Sequence, residues 1–377
     1  MREPGETGRT AHTWLGSRRG RLDGPDRLAG VDLARGLAVL GMLAAHALWI
    51  DPWDWARPAT WVDIVNGRSS ILFATLAGVS LALITGGRSP VTGERMRAAR
   101  ARIAVRAVLI WMLGIALVAT GVPVYVILPA YGILFLLAVP FLPLGARVLL
   151  PLAAGIAVAL PFVQVALDAL PFWATDAGAL VEVVVGWHYP FTTWIAFVLC
   201  GLGVGRLDLR AMRVQVALLA VGALLAGVGY GLDAATGSGA DGEQGALWGE
   251  VWTARAHSTG VLEVVGSGGF ALAAIGLCLL LCRTRVRWVA APLRAVGSMP
   301  LSAYTGQLVV WAVVAGAAGD VADLVAFRAL HPFWPMALGT VALCTAWALL
   351  IGRGPAEWAV DRASGLVAPR AASGSAR

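Results

Sequence analysis

Two residues with chemistry of their own stand in an otherwise apolar stretch near the start of this 377-residue chain. They are Arg35 and His46, with Asp32 three positions before the arginine. Charge inside an apolar helix is costly and is kept mainly where function needs it. At 100° per residue, eleven steps return His46 to within about 20° of the azimuth of Arg35. The two therefore share one face, roughly 16 Å apart along the axis. Asp32 lies one turn from Arg35 on that face and can pair with it. An arginine fork suits a carboxylate or phosphate. A histidine, largely neutral near pH 7, can act as base or nucleophile. Plainer roles compete: a snorkelling Arg35–Asp32 pair at an interface, and an interfacial His46 beside Trp49.

Other candidates cluster near the same depth as His46. Arg68 opens a second apolar stretch and can bind a substrate or pair with Asp63. His188, within Trp187-His188-Tyr189-Pro190, belongs either to an aromatic belt or to a sugar platform. His257 and Ser258 precede a further apolar stretch holding Glu263, a carboxylate placed to orient the imidazole of His46. Tyr304, Gln307 and Trp311 form a stripe best read as helix packing, and His12 and His331 read as solvated or interfacial. Cys200, Cys278, Cys282 and Cys344 all fall in apolar stretches, where free cysteines behave as small apolar residues. Their spacing makes neither a disulfide framework nor a zinc site, so no metal is expected.

The elements that must position these groups follow from composition. Hydrophobic residues make up 58% of the chain and charged ones 14%, with a mean hydropathy of +0.75, which excludes an ordinary soluble domain. Apolar runs of 17 or more residues read as spanning helices, because a bilayer core takes about 20 residues and helices satisfy their own backbone. The expected class is all-α, a polytopic membrane protein of about ten transmembrane helices. Their spans are 28–50, 68–86, 103–120, 124–143, 148–166, 189–205, 214–232, 261–282, 300–318 and 334–352. The fourth is the weakest, with Pro129, Pro140 and Pro143 marking a kinked or re-entrant segment. A leader over 1–27, a membrane domain over 28–352 and a tail over 353–377 complete the division.

All 29 basic residues are arginine, and the net charge is +7. They recur in clusters between alternate spans rather than on one face, which argues against nucleic acid as a partner and follows the positive-inside rule. Residues 1–27, 88–102, 206–213 and 283–294 are arginine-rich, while Asp51, Asp54, Asp63, Asp168, Asp176, Glu182, Asp233, Asp320 and Asp323 lie in the alternate connections. Both termini are thus expected in the cytoplasm. The polar leader shows no signal peptide.

The pattern Val31-Asp32-x-x-Arg35-Gly36-x-Ala38-x-Leu40 followed by His46 resembles the first helix of the transmembrane acyltransferase superfamily, whose family 3 members carry an Arg, ten residues and a His. The run Leu72-Phe73-Ala74-Thr75-Leu76-Ala77-Gly78 resembles that superfamily's second-helix signature. Over roughly 27–360 the chain is similar to the actinobacterial branch that carries the heparan-α-glucosaminide N-acetyltransferase catalytic domain. The features that carry this are Gly67-Arg68-Ser69-Ser70, Gly203-Val204-Gly205-Arg206-Leu207, Glu263-Val264-Val265-Gly266-Ser267 and Gly354-Pro355-Ala356-Glu357-Trp358. The heparan-type pattern has its histidine in the loop after the first helix, and residues 51–66 here hold none.

The resemblance implies an acyltransferase of the cytoplasmic membrane. It would take acyl-CoA, in the first place acetyl-CoA, from the cytoplasm and acylate a cell-envelope glycan or lipid on the outer side. His46 would be the base or acyl carrier, with Arg35 and Asp32 on the donor side. Arg68, Asp63, His188, Glu263 and His257 remain for the acceptor. The competing reading is a solute transporter or a lipid or glycan flippase, though the inverted repeats usual in transporters are not evident.

Overall fold

The computed structural model describes residues 22–24, 27–236, 249–319 and 321–367. Among them the chain is helical, without strands. Fifteen α-helices follow in order: α1 Ala29–Ala47, α2 Arg68–Ile84, α3 Gly93–Val118, α4 Leu128–Ala138, α5 Ala146–Asp168, α6 Asp176–Val185, α7 Phe191–Gly205 and α8 Met212–Thr236, then α9 Val261–Leu281, α10 Val286–Val289, α11 Ala291–Ser298, α12 Pro300–Ala318, α13 Leu324–Ala329, α14 Phe333–Leu350 and α15 Pro355–Val367. Eight segments among the described residues are long and apolar enough to cross a membrane: α1, the stretch Pro58–Ile84 that ends in α2, α3, α5, α8, α9, Pro300–Ala317 of α12, and α14. Two shorter apolar helices, Leu128–Phe141 and Phe191–Gly205, stand where the fourth and sixth spans are expected.

Both short helices have local causes. Pro129 sits in the first turn of α4 and Pro140 in a 3₁₀ turn at its end, which holds α4 to eleven residues, roughly 16 Å of helix. Helix α7 is apolar on all sides, and twelve of its fifteen residues are buried; a helix of that kind belongs inside a bundle. It packs on α2 and α5.

Helix α1 is the axis of the molecule, touching α2, α9, α11, α12 and α14. Its approach to α11 is backbone on backbone: a Cβ on Gly297 would run into the carbonyl oxygen of Asp32, and one on Gly36 into that of Leu293. Helices α8 and α9 cross equally closely through Gly222, Gly229 and Gly269. Without a hydrophobic gain from leaving lipid, such small-residue contacts hold membrane helices together. The outer helices keep apolar side chains exposed, among them Leu224, Val313 and Leu343, as a lipid-facing surface requires.

Past α14 the chain does not trail away. Helix α15 packs along α3, and its Glu357 accepts from the backbone of Leu301 at 2.7 Å and of Ser302 at 3.2 Å, and from the Ser302 hydroxyl. That carboxylate meets the free amides at the start of α12, where a helix favours negative charge. The described part of the expected tail is thus an integral element of the fold. His12 and Asp320 lie outside the described residues, as does the acidic pair Asp241 and Glu243 of the loop before α9.

Candidate functional site

The apolar run 36–45 makes α1 a helix, and its two ends are built differently. At the first end Asp32 is 5% exposed and is shared by two guanidiniums, Arg27 at 2.9 Å and Arg35 at 3.2 Å. Arg35 also donates to the carbonyl of Gly297 at 3.0 Å and to the Ser80 hydroxyl at 3.0 Å. One side chain therefore ties α1 to α11 and α2. Beside it, Arg294 is fully buried and donates to Asp23 at 2.7 Å and to the Leu22 carbonyl at 2.6 Å. This end is a brace of paired charge.

His46 closes the last turn of α1. Arg328, on α13, donates to the carbonyls of His46 at 2.9 Å and Ala45 at 3.3 Å, placing a cation where a helix end favours one. The imidazole meets the edge of Trp311 at 6.3 Å, and Trp311 in turn stacks on Phe327 at 3.9 Å. His46 opens into a cavity of ≈ 210 Å³ lined also by Asn66, Ser69, Ser70, Tyr125, His188, Tyr189, His257 and Arg328. His188 stacks flat on Tyr125 at 3.6 Å and lies 4.9 Å from His257. Three histidines from three remote segments thus line one small space.

Burial, then the nearby imidazoles of His257 and His46, push the pKa of His188 down to about 3. Burial also lowers that of His257. Both are neutral at pH 7 and can exchange hydrogen bonds with a hydroxyl or amine. Their grouping does not suit a metal: among the described residues no three His, Cys, Asp or Glu side chains are placed to hold one.

His257 is held in the left-handed region at φ 65°, and Thr259 at φ 56°. Non-glycine residues adopt such conformations only where the surroundings over-determine them. Glu263 supplies the constraint. Its carboxylate, 3% exposed, accepts from the backbone N–H of His257 and of Thr259, each at 2.6 Å, and from the Ser258 hydroxyl at 3.3 Å. This corrects the expectation for Glu263: its oxygens clamp the loop that carries His257 and are not turned to His46.

Arg68 and Asp63 stand outside the cavity lining. Arg68 donates to the Tyr230 hydroxyl at 2.8 Å and to the backbone carbonyl of Asp63 at 2.9 Å, so the expected pairing with Asp63 runs through the main chain and not the carboxylate. Tyr304 and Trp311 face into the bundle, with the Tyr304 hydroxyl accepting from the backbone N–H of Ile127 at 3.3 Å. His331 is exposed. Tyr125 and Arg328 escape sequence reasoning altogether. The one available signal is that Arg328 is an arginine in a connection otherwise marked by Asp320 and Asp323.

Two family models match the chain. Residues 27–229 match the one described as heparan-alpha-glucosaminide N-acetyltransferase, catalytic, which covers more than half of the 377 residues. Residues 205–364 match a protein of unknown function, DUF418. No curated protein matches at a significant level. The cavity joins the two regions: His46 and His188 come from the first, His257 and Arg328 from the second.

Proposed function

The chain belongs to the family of heparan-alpha-glucosaminide N-acetyltransferase catalytic domains, and from that premise we propose that it is an integral-membrane acyltransferase with His46 at its reacting centre. The family gives a multi-pass membrane protein of acetyltransferase type. Our finer reading is transfer of an acetyl group from acyl-CoA to a hydroxyl or amine of a cell-envelope glycan or lipid. The observation that carries it is the convergence of His46, His188 and His257 on one cavity at the end of α1.

In the direct form, the acceptor's oxygen or nitrogen attacks the thioester carbonyl as its proton passes to the free nitrogen of His46. The tetrahedral intermediate collapses with cleavage of the C–S bond, and the imidazolium returns the proton to the departing thiolate. In the carrier form, the imidazole itself takes the acyl group as the C–S bond breaks, its ring proton passes to the departing thiolate, and the acceptor then attacks the acyl carbon while its proton returns to the released imidazole. His188 and His257, neutral by burial, hold the acceptor by hydrogen bonds without adding charge. Asp32 and Arg35 position α1 from the side on which we place the donor, and Arg68 with Asp63 supports the acceptor side from behind the cavity. The arginine distribution supports both termini in the cytoplasm and residence in the cytoplasmic membrane.

Purified protein in lipid vesicles, given labelled acetyl-CoA and envelope extract, should release CoA and label an envelope component in a His46-dependent manner. Solute flux without CoA release would replace this reading with a carrier. Mass spectrometry of envelope glycans and lipids from cells with and without the gene identifies the acceptor.

A further inference from the structure

The Arg35 end of the bundle holds a second polar cavity that the acyl-transfer reading leaves unused. It measures ≈ 540 Å³ and lies between α3 and α15, lined by Arg95, Arg102, Arg106, Arg353 and Asp361 among others. On α3 the spacings of seven and four residues put Arg95, Arg102 and Arg106 on one face. Three of the guanidiniums converge on a single carboxylate: Asp361 accepts from Arg102 at 3.0 Å, from Arg353 at 2.5 Å, and from Arg106. Arg95 makes no ion pair with any acid among the described residues.

The charge count is lopsided. Four arginines against one aspartate leave a formal excess of 4 − 1 = 3 positive charges in the cavity wall. Glu357, one turn before Asp361 on the same helix, cannot help, because its carboxylate is taken by the start of α12. The side chains of Arg102 and Arg106 are only 18% and 23% exposed, and the Nε of each is enclosed without a partner. Like charges one helical turn apart repel, and partial burial makes uncompensated charge more costly still.

The neighbouring arginines at this end are treated differently. Asp32 serves two guanidiniums, and Arg35 has the Gly297 carbonyl and the Ser80 hydroxyl besides. Asp23 serves Arg287 and Arg294, and Arg294 has two carbonyls as well. A neighbouring cavity of ≈ 370 Å³ also has four arginines, Arg27, Arg210, Arg283 and Arg287, beside Asp23, but there Arg27 is held by Asp32 outside the lining, and the α3–α15 cavity is the larger of the two.

We propose that this cavity is a phosphate site, taking a phosphomonoester or diphosphate group at the membrane surface. Guanidinium forks bind phosphate oxygens in pairs, and a dianion would balance most of the excess charge. Asp361 keeps the arginines gathered and fixes α15 against α3. Burial pushes the Asp361 carboxyl up, but the Arg353 hydrogen bond and the charges of Arg106, Arg353 and Arg102 outweigh it and hold the group below its ordinary value. The phosphate can come from a soluble ligand or from an anionic phospholipid headgroup. The site goes beyond the proposed acyl chemistry and stands or falls without it.

Binding to the full-length protein in phosphatidylcholine nanodiscs separates the two sources. Inorganic pyrophosphate is titrated by calorimetry in one arm. Retention of phosphatidylglycerol against phosphatidylcholine is read by native mass spectrometry in the other. R102Q/R106Q should weaken binding by about tenfold or more, the loss expected from charge-assisted hydrogen bonds. R95Q, which breaks no ion pair within the protein, keeps the test open if the double variant misfolds, and should weaken binding by about threefold or more. R147Q, an exposed arginine at the same end but outside the cavity, should stay within about twofold of wild type. Arginine-dependent pyrophosphate binding assigns a soluble ligand, and arginine-dependent phosphatidylglycerol retention assigns a headgroup. The proposal is overturned if neither probe is held, or if R147Q loses as much as R95Q.

Discussion

The two ends of α1 use the same helix for opposite purposes. At the Arg35 end the polar groups bind one another: two arginines share Asp32, and Arg35 reaches on to Gly297 and Ser80. At the His46 end the side chains face a cavity, and what is bound is the backbone, capped by Arg328. Satisfied charge makes a rigid joint, whereas imidazoles facing open volume make a place for a reacting group. The arginine that drew attention in the sequence is thus the brace, and the histidine is the candidate for chemistry.

The sharpest way to break this contrast is at His46. His46→Ala should lower acyl transfer by about 10²–10⁴-fold, the range for losing a general base, with the protein's melting temperature nearly unchanged. An active His46→Ala enzyme would remove the imidazole from the mechanism. Asp32→Ala should act the other way round. It strands two guanidiniums, one of them well buried, at a cost of about 3–5 kcal/mol. The loss would appear as reduced folded yield in detergent and a lower melting temperature; a variant as stable as wild type would show that the brace is not one.

Smaller effects come from the groups that frame the cavity. Arg328→Gln removes the cation from the end of α1 and should cost about 0.3–1 kcal/mol, read by thermal unfolding, together with a higher KM if the end of α1 loosens. The weakest expected effect is on pH dependence. His188 has a folded pKa of about 3 against an ordinary 6.5, so between those values the unfolded chain binds the proton and the folded one does not. Its contribution is fully present above pH 6.5 and is lost as pH falls towards 3. His188→Gln should flatten the decline of melting temperature across that window, and an unchanged slope would place the imidazole in a wetter setting than the stack on Tyr125 implies.

Much of the scaffold was legible because membrane insertion is a local and roughly additive property. Expected spans such as 261–282 and 300–318 differ by only a residue or so from Val261–Leu281 and Pro300–Ala318. The third span starts ten residues earlier than expected, at Gly93, because arginines that read as loop lie on the first turns of α3, the last of them, Arg102, pairing with Asp361 of α15. Hydropathy marks where a helix can stay in lipid, not where it begins. Helix α15 itself, amphipathic and outside every apolar run, was invisible as a docked element because its partners on α3 are more than 250 positions away.

The site divides in the same manner. By itself the sequence determined the membrane class, the rhythm of the spans and the shared face of Asp32, Arg35 and His46, since each follows from transfer energies and a fixed helical pitch. Only the tertiary structure decided which polar residues meet. It brought His188 and His257 beside His46, turned Glu263 to the backbone of its own loop and set Arg328 on the end of α1. Those meetings depend on which helices can approach closely enough to cross, as α1 and α11 do at Gly36 and Gly297, and such small-residue contacts join segments that lie far apart in the chain.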